Sequence, residues 1–189
     1  MSVTARILFV CTGNICRSPM AERMLRARLA PDSDIEVSSA GTHALVGHEM
    51  DADAARVARE FGADPNGHRG QVAAPLVEHV DLILTATAAH RDQLLVGHPR
   101  AMRRAFTMRE FVRLGRTLPA LTPTPTGGAF ADRVAQVAAQ RGQTPPPAPG
   151  QDDIGDPFAG PFDVMQACGA AISSAVDSTL HILGLAPQT

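Results

Sequence analysis

The stretch Val10-Cys11-Thr12-Gly13-Asn14-Ile15-Cys16-Arg17-Ser18 carries the most concentrated chemistry in this chain. A thiol and a guanidinium stand five residues apart, in the pattern Cys-x5-Arg. The apolar run Ile7-Leu8-Phe9-Val10 before them reads as a buried strand, and Pro19-Met20-Ala21-Glu22 after them reads as the start of a helix. A loop so placed can turn its backbone N–H groups inward as a nest. The helix N-terminus adds its positive end and Arg17 a planar fork, so a tetrahedral oxyanion such as phosphate can be held from below. Cys11 then lies at the floor of that bowl. The partial charges that attract the anion also favour thiolate over thiol, so Cys11 is expected to be nucleophilic near neutral pH.

The residues between serve the same end. Thr12, Gly13, Asn14, Ile15, Cys16 and Arg17 supply the inward N–H groups. Gly13 permits close backbone approach, and Asn14 is the side chain that best tolerates a left-handed backbone. Ser18 has one proton and two lone pairs, so it is expected to point the proton at the Cys11 sulfur while a lone pair caps the helix. Pro19 is expected at the first helical position, where its missing N–H costs nothing.

Twelve consecutive positions, Cys11 to Glu22, resemble the signature of the low-molecular-weight protein tyrosine phosphatases. The resemblance continues through Ser39-Ala40-Gly41-Thr42, Gly67-His68-Arg69 and Asp81-Leu82-Ile83-Leu84, and returns at Asp156-Pro157. It implies a three-layer α/β/α fold around a mostly parallel, four-stranded sheet, with the phosphate loop between the first strand and first helix. It also implies hydrolysis of a phosphotyrosine protein or a small aryl phosphate through a phosphocysteine, releasing inorganic phosphate without metal or cofactor. In that scheme Cys11, Arg17, Asp156 and Ser18 are catalytic, and Asn14, Ser39 and His68 hold the loop open. Asp156 is the acid because the family's Asp precedes a Pro; Asp153 and Asp152 are its rivals. Ile15, His43 and Phe158 form the specificity rim. By the same resemblance Cys16 could close a reversible disulfide with Cys11; packing against the helix is the equal alternative.

Composition sets bounds. A chain of 189 residues, 44% hydrophobic, suits one well-packed domain. A formal charge of -2 gives no electrostatic case for nucleic acid or a membrane surface. No run reaches the roughly 18 apolar residues of a membrane span and no leader is evident, so the cytoplasm is the default. Three cysteines make no disulfide framework, and no Cys and His spacing suggests zinc. A monomer or weak dimer is expected. All 17 basic residues are Arg, and Trp and Tyr are absent.

The elements that must position the loop follow in order. Residues 5–10 and Ile35 to Ser38 are strands around a helix at 18–29, a βαβ unit, which makes the sheet parallel and puts the loop at its carboxyl edge. Arg23, Arg26 and Arg28 read as that helix's solvated side. A helix over Asp51 to Phe61 buries Ala54, Val57, Ala58 and Phe61 and stops at Gly62. Asp81 to Leu84 is a strand, Ala88 to Leu95 a helix, Arg104 to Thr107 a strand, and Met108 to Leu114 a short helix. Apart from His68 and His43, the seven histidines read as surface residues. Residues 117–150 are Pro-rich around one helical segment, Ala129 to Arg141, and look like an insertion forming an extended or mobile connection. A final helix, Pro161 to Leu183, carries Phe162, Met165, Cys168, Ile172, Val176, Leu180 and Leu183 on one stripe, which makes Cys168 a core thiol.

Three other functions compete. A protein arginine phosphatase shares the loop but tends to carry Thr where this chain has Ile15. An arsenate reductase-like oxidoreductase needs relay cysteines, of which only Cys168 is available. A phosphate-binding module without catalysis would keep Cys11 and Arg17 and lack a usable acid.

Overall fold

The strands assemble in the order β2-β1-β3-β4, all parallel: β1 is Ala5–Cys11, β2 Ile35–Gly41, β3 Leu82–Thr85 and β4 Ala105–Thr107. The computed structural model describes residues 5–121 and 127–185. Alternation along β1 sends Ile7, Phe9 and Cys11 to one face and Leu8 and Val10 to the other. Four of these, Ile7, Leu8, Phe9 and Val10, are at most 1% exposed, and burying each stabilises the fold by about 2 kcal/mol.

Helices cover both faces. On the Phe9 face lie α1 (Arg17–Arg28), α2 (Ala52–Glu60), α4 (Met108–Gly115), α5 (Gly127–Ala139) and α6 (Phe162–Leu183). On the Leu8 face lie α3 (Ala88–Gly97) and short 3-10 turns at Val77–His79 and Pro99–Arg103. The chain is therefore α/β with three layers, as the resemblance implies.

The differences from expectation are local. β2 runs past Ser38 to Gly41, because the small residues Ser39, Ala40 and Gly41 keep pairing with Phe9, Val10 and Cys11. Helix α1 starts at Arg17, with Cys16 as its N-cap and no side-chain cap. Pro19 is thus the third helical residue, still within the turn whose N–H groups have no helical acceptor. Arg28 does not belong to a solvated face: it donates to Asp177 at 2.6 Å, Ser173 at 2.6 Å and the Met24 carbonyl at 3.0 Å, tying α1 to α6. Arg23 is likewise mostly covered, beside the buried Glu22.

The helix in the Pro-rich stretch is part of the core. Phe130, Val134 and Val137 are buried, and Arg133 donates to the carbonyls of Ile182 and Pro119, both at 2.7 Å. Arg141 donates to Glu110 at 2.8 Å, which also receives Arg91 at 2.8 Å, and its guanidinium stacks on Phe106. Pro145, Pro146 and Pro149 are exposed and outside any regular element; Pro123 and Pro125 lie outside the described residues.

Candidate active site

The loop between β1 and α1 is shaped from outside by its carbonyls. Those of Cys11, Thr12 and Gly13 accept from the N–H groups of Thr42, His43 and Leu45 at 2.9, 3.0 and 2.9 Å. The Asn14 carbonyl lies 2.7 Å from His68 Nε2, that of Ile15 accepts from Asp51 N–H at 2.9 Å, and that of Cys16 from Met20 N–H at 3.0 Å. Every carbonyl from residue 11 to 16 is therefore pulled outward. The N–H groups of Thr12 to Cys16 meet no protein acceptor among the described residues. Five donors turned the other way around one thiol make an anion nest.

Asn14 makes the reversal possible. Its φ is 56°, in the left-handed region, and its side chain is fully buried. Nδ2 donates to Ser18 Oγ and Ser39 Oγ, both at 2.9 Å, while Oδ1 accepts from Gln71 N–H at 3.0 Å. Ser39 Oγ in turn donates to the carboxylate of the buried Glu22 at 2.6 Å. Ser18 Oγ, loaded by Asn14, stands 3.1 Å from Cys11 Sγ and 3.2 Å from the Ala40 carbonyl. Ser18 thus faces the sulfur and does not cap α1. Burial lowers the His68 pKa, so its imidazole is neutral at pH 7 and bonds the Asn14 carbonyl through a protonated Nε2.

Gly41 was not singled out by the sequence, and the structure requires it. A β-carbon there would stand 2.3 Å from the Thr12 carbonyl oxygen and 2.9 Å from Ala44 Cα. Gly13, by contrast, has space for one on the protein side.

Arg17 is 3% exposed. One terminal nitrogen reaches Asp156 Oδ2 at 3.0 Å and the other the Ile154 carbonyl at 3.2 Å, while its buried Nε has no partner among the described residues. Cys11, Thr12, Gly13, Ile15, Cys16, Arg17, His43, Leu45, Asp156 and Phe158 enclose a cavity of about 230 Å³. A larger groove of about 440 Å³ between α4 and α6 is lined by Arg109, Arg113 and Arg116. Its best fork, Arg113, is already closed on Asp152 at 2.7 and 3.1 Å, and no cysteine lines it, so the smaller cavity is the candidate site.

Three acids had been candidates, and the geometry separates them. Asp152 is held by Arg113, and Asp153 Oδ1 accepts from Ala88 N–H at 2.8 Å. Asp156 alone of the three lines the cavity, with its side chain 56% exposed. Phe158, 55% exposed, and His43 stand on the rim. Leu45, 43% exposed, joins them and was missed, because only its hydrogen bond to Gly13 brings it there.

All three cysteines are buried and free. Burial, with the Asp51 and Cys11 charges, pushes the Cys16 pKa well up, so Cys16 stays a thiol. Burial pushes Cys168 up to about 11, and its sulfur lies 4.0 Å from the Gly155 carbonyl, under the loop that carries Asp156. A thiol so masked makes a poor redox relay. His90 reads as a surface residue in the sequence and is in fact 8% exposed, with Nε2 2.8 Å from Thr12 Oγ1 and Nδ1 2.7 Å from Thr87 Oγ1. Its spacing of three from Thr87, the N-cap of α3, was the available signal. Among the described residues, no cluster of His, Cys, Asp or Glu could hold a metal ion, and no helix is long and apolar enough to cross a membrane.

A parallel α/β sheet with a thiol, a buried guanidinium and a ring of free N–H groups at its carboxyl edge defines a phosphate-loop protein. The model of the family "Low molecular weight phosphotyrosine protein phosphatase" matches residues 6–140, and the chain belongs to that family. It is 30% identical to a protein-arginine-phosphatase of Geobacillus stearothermophilus, over 91% of each chain. It is 48% identical over 89 residues to the low molecular weight protein-tyrosine-phosphatase Etp of Escherichia coli, which is 47% of this chain and 58% of that one. The solved structure of Vibrio vulnificus Wzb in complex with benzylphosphonate superposes with a TM-score of 0.66 at 26% identity, covering 93% of this chain and 97% of Wzb.

Proposed function

We propose that this protein hydrolyses aryl phosphate monoesters, phosphotyrosine in proteins among them, through a phosphocysteine on Cys11. The observation that carries the reading is the ring of N–H groups from Thr12 to Cys16, left free around Cys11 by six outward-tied carbonyls. With Arg17 these donors stabilise the three equatorial oxygens in the transition state, so thiolate and loop supply the charge that a metal supplies elsewhere.

The phosphoryl group takes the Arg17 fork away from Asp156, which leaves that carboxyl over the bowl. Cys11 attacks in line: the S–P bond forms, the P–O bond breaks, and Asp156 gives its proton to the leaving phenol oxygen. Water then attacks phosphorus and passes a proton back to Asp156. The S–P bond breaks, inorganic phosphate leaves, and the Ser18 proton, directed by Asn14, steadies the returning thiolate. Ser39 and His68 act at one remove, holding Asn14.

The rim favours an aryl group. Ile15, Leu45 and Phe158 offer an apolar wall to a ring. The full-length likeness to an arginine phosphatase supports a second reading, phosphoarginine, against which Ile15 counts because, by the resemblance described above, that class tends to carry Thr there. The finer setting is part of the proposal: a monomer or weak dimer in the cytoplasm, where three free thiols persist.

The test is hydrolysis of an aryl phosphate across pH, with a metal chelator present, by wild type, Cys11→Ser and Asp156→Ala. Activity that survives the chelator, vanishes in Cys11→Ser and loses its acid dependence in Asp156→Ala is expected. An unaffected Asp156→Ala would move the acid to Asp153 or Asp152. Phosphate binding without turnover would favour the non-catalytic module. Comparing phosphotyrosine with phosphoarginine peptides, before and after Ile15→Thr, separates the two substrates; a wild-type preference for phosphoarginine would reverse the assignment.

A further inference from the structure

The N-terminus of α3 touches both loops that the mechanism needs. Its flank, Ala86, donates N–H to the Val10 carbonyl at 2.8 Å, just before the nucleophile, and its carbonyl accepts from Ile154 N–H at 2.8 Å, just before the acid. Ala88 N–H holds Asp153 Oδ1 at 2.8 Å. His90 adds the one side-chain link to the nucleophile loop itself: Nε2 to Thr12 Oγ1 at 2.8 Å and Nδ1 to Thr87 Oγ1 at 2.7 Å. Thr87 Oγ1 in turn accepts the His90 backbone N–H at 3.3 Å, so the ring is fixed to the helix that carries it.

We propose that His90 is a positioning residue that locks the nucleophile loop to the acid loop through the first turn of α3. This rests on the hydrolase reading above. The Thr12 carbonyl is held by His43 and its hydroxyl by His90, which leaves its N–H as the one polar group aimed into the bowl. A neutral imidazole presents one donor and one acceptor and so satisfies two hydroxyls in either tautomer. Burial, aided by the Arg17 charge, lowers the His90 pKa to about 4, which keeps the ring in that neutral form at working pH. His90 does not line the cavity, so it acts through Thr12 and touches no substrate.

Two amides dissect the link. The head of a glutamine reaches the place of Nε2 and that of an asparagine only the place of Nδ1, so His90→Gln keeps the Thr12 contact and His90→Asn keeps the Thr87 contact. The measurements are kcat and KM on an aryl phosphate, and the affinity for inorganic phosphate by calorimetry, with far-UV circular dichroism melts beside them. His90→Asn and His90→Leu are expected to bind phosphate and turn over about tenfold less well, His90→Gln within about twofold of wild type. His90→Asn and His90→Gln should melt together, which a merely structural role would not combine with different activities. Thr12→Val should reproduce the loss and add nothing to His90→Leu. A glutamine variant as impaired as the leucine one, or all three matching wild type, overturns the proposal. Should wild type bind phosphate without turnover, the hydrolase reading falls, and the order of phosphate affinities still decides the role of His90.

Discussion

Asn14→Ala is the substitution whose cost follows most directly from the geometry. The side chain is fully buried and makes three hydrogen bonds, to Ser18, Ser39 and the Gln71 N–H, while its backbone stands at φ 56°. Each bond contributes about 1 kcal/mol net, and a β-carbon without a compensating local amide costs about 1 kcal/mol more in the left-handed region. The variant should therefore lose about 4 kcal/mol, a large share of a typical domain's 5–15 kcal/mol. Asn14→Gly spares the backbone cost and should lose about 1 kcal/mol less. Urea unfolding followed by far-UV circular dichroism is the assay, since the chain has neither Trp nor Tyr to report by fluorescence. A loss below about 1 kcal/mol in Asn14→Ala would refute the claim that this network holds the loop. A glycine variant no more stable than the alanine one would refute the backbone part of it.

Three further outcomes follow from contacts elsewhere. Gly41→Ala forces a β-carbon to 2.3 Å from the Thr12 oxygen, so phosphate affinity and turnover should both fall by more than tenfold at about 2 kcal/mol of stability, read by calorimetry and melts. Glu110 is 5% exposed; burial alone would raise its pKa, yet the Arg141 and Arg91 guanidiniums hold it below the ordinary 4.5. Its folded value lies under its unfolded one, so its stabilisation is present above about pH 5 and is lost as pH falls through the folded value. Acid unfolding of Glu110→Gln should lack that component, while at neutral pH the variant is less stable by about 2 kcal/mol. Phe130→Ala should cost about 3 kcal/mol in melts, because the ring is 1% exposed; a loose surface helix would lose almost nothing.

Much of this was legible in the sequence because it is local. The strand, loop and helix around Cys11 are contiguous, and the apolar runs of β1 and β3 name themselves as buried on both faces. The left-handed Asn14 and the Ser18 hydroxyl beside the sulfur could be placed by side-chain chemistry alone, although the helix cap expected of Ser18 is not made. What stayed hidden depends on distant partners. Gly41 matters only because β2 runs in register with β1 to its last residue, and Leu45 only because its N–H meets Gly13. His90 lies 78 residues from Thr12, and its spacing of three from the Thr87 cap ties it to its own helix without naming that distant partner. Arg28 misled for the same reason: it looks solvated in a helical projection, yet it ends on the Asp177 carboxylate of α6, as Arg133 and Arg141 end on a carbonyl and a carboxylate of other elements. Resemblance pointed to Asp156 with Asp153 and Asp152 as rivals, and of the three only Asp156 lines the cavity.

The central claim is a covalent phosphoryl group on one sulfur. Enzyme mixed with an aryl phosphate in excess chelator, quenched during turnover and digested, should carry phosphate on the peptide containing Cys11 and on no other. Cys11→Ser should neither turn over nor acquire a labile thiol-bound phosphoryl group. Steady turnover with no phosphocysteine, or turnover abolished by the chelator, would contradict the account.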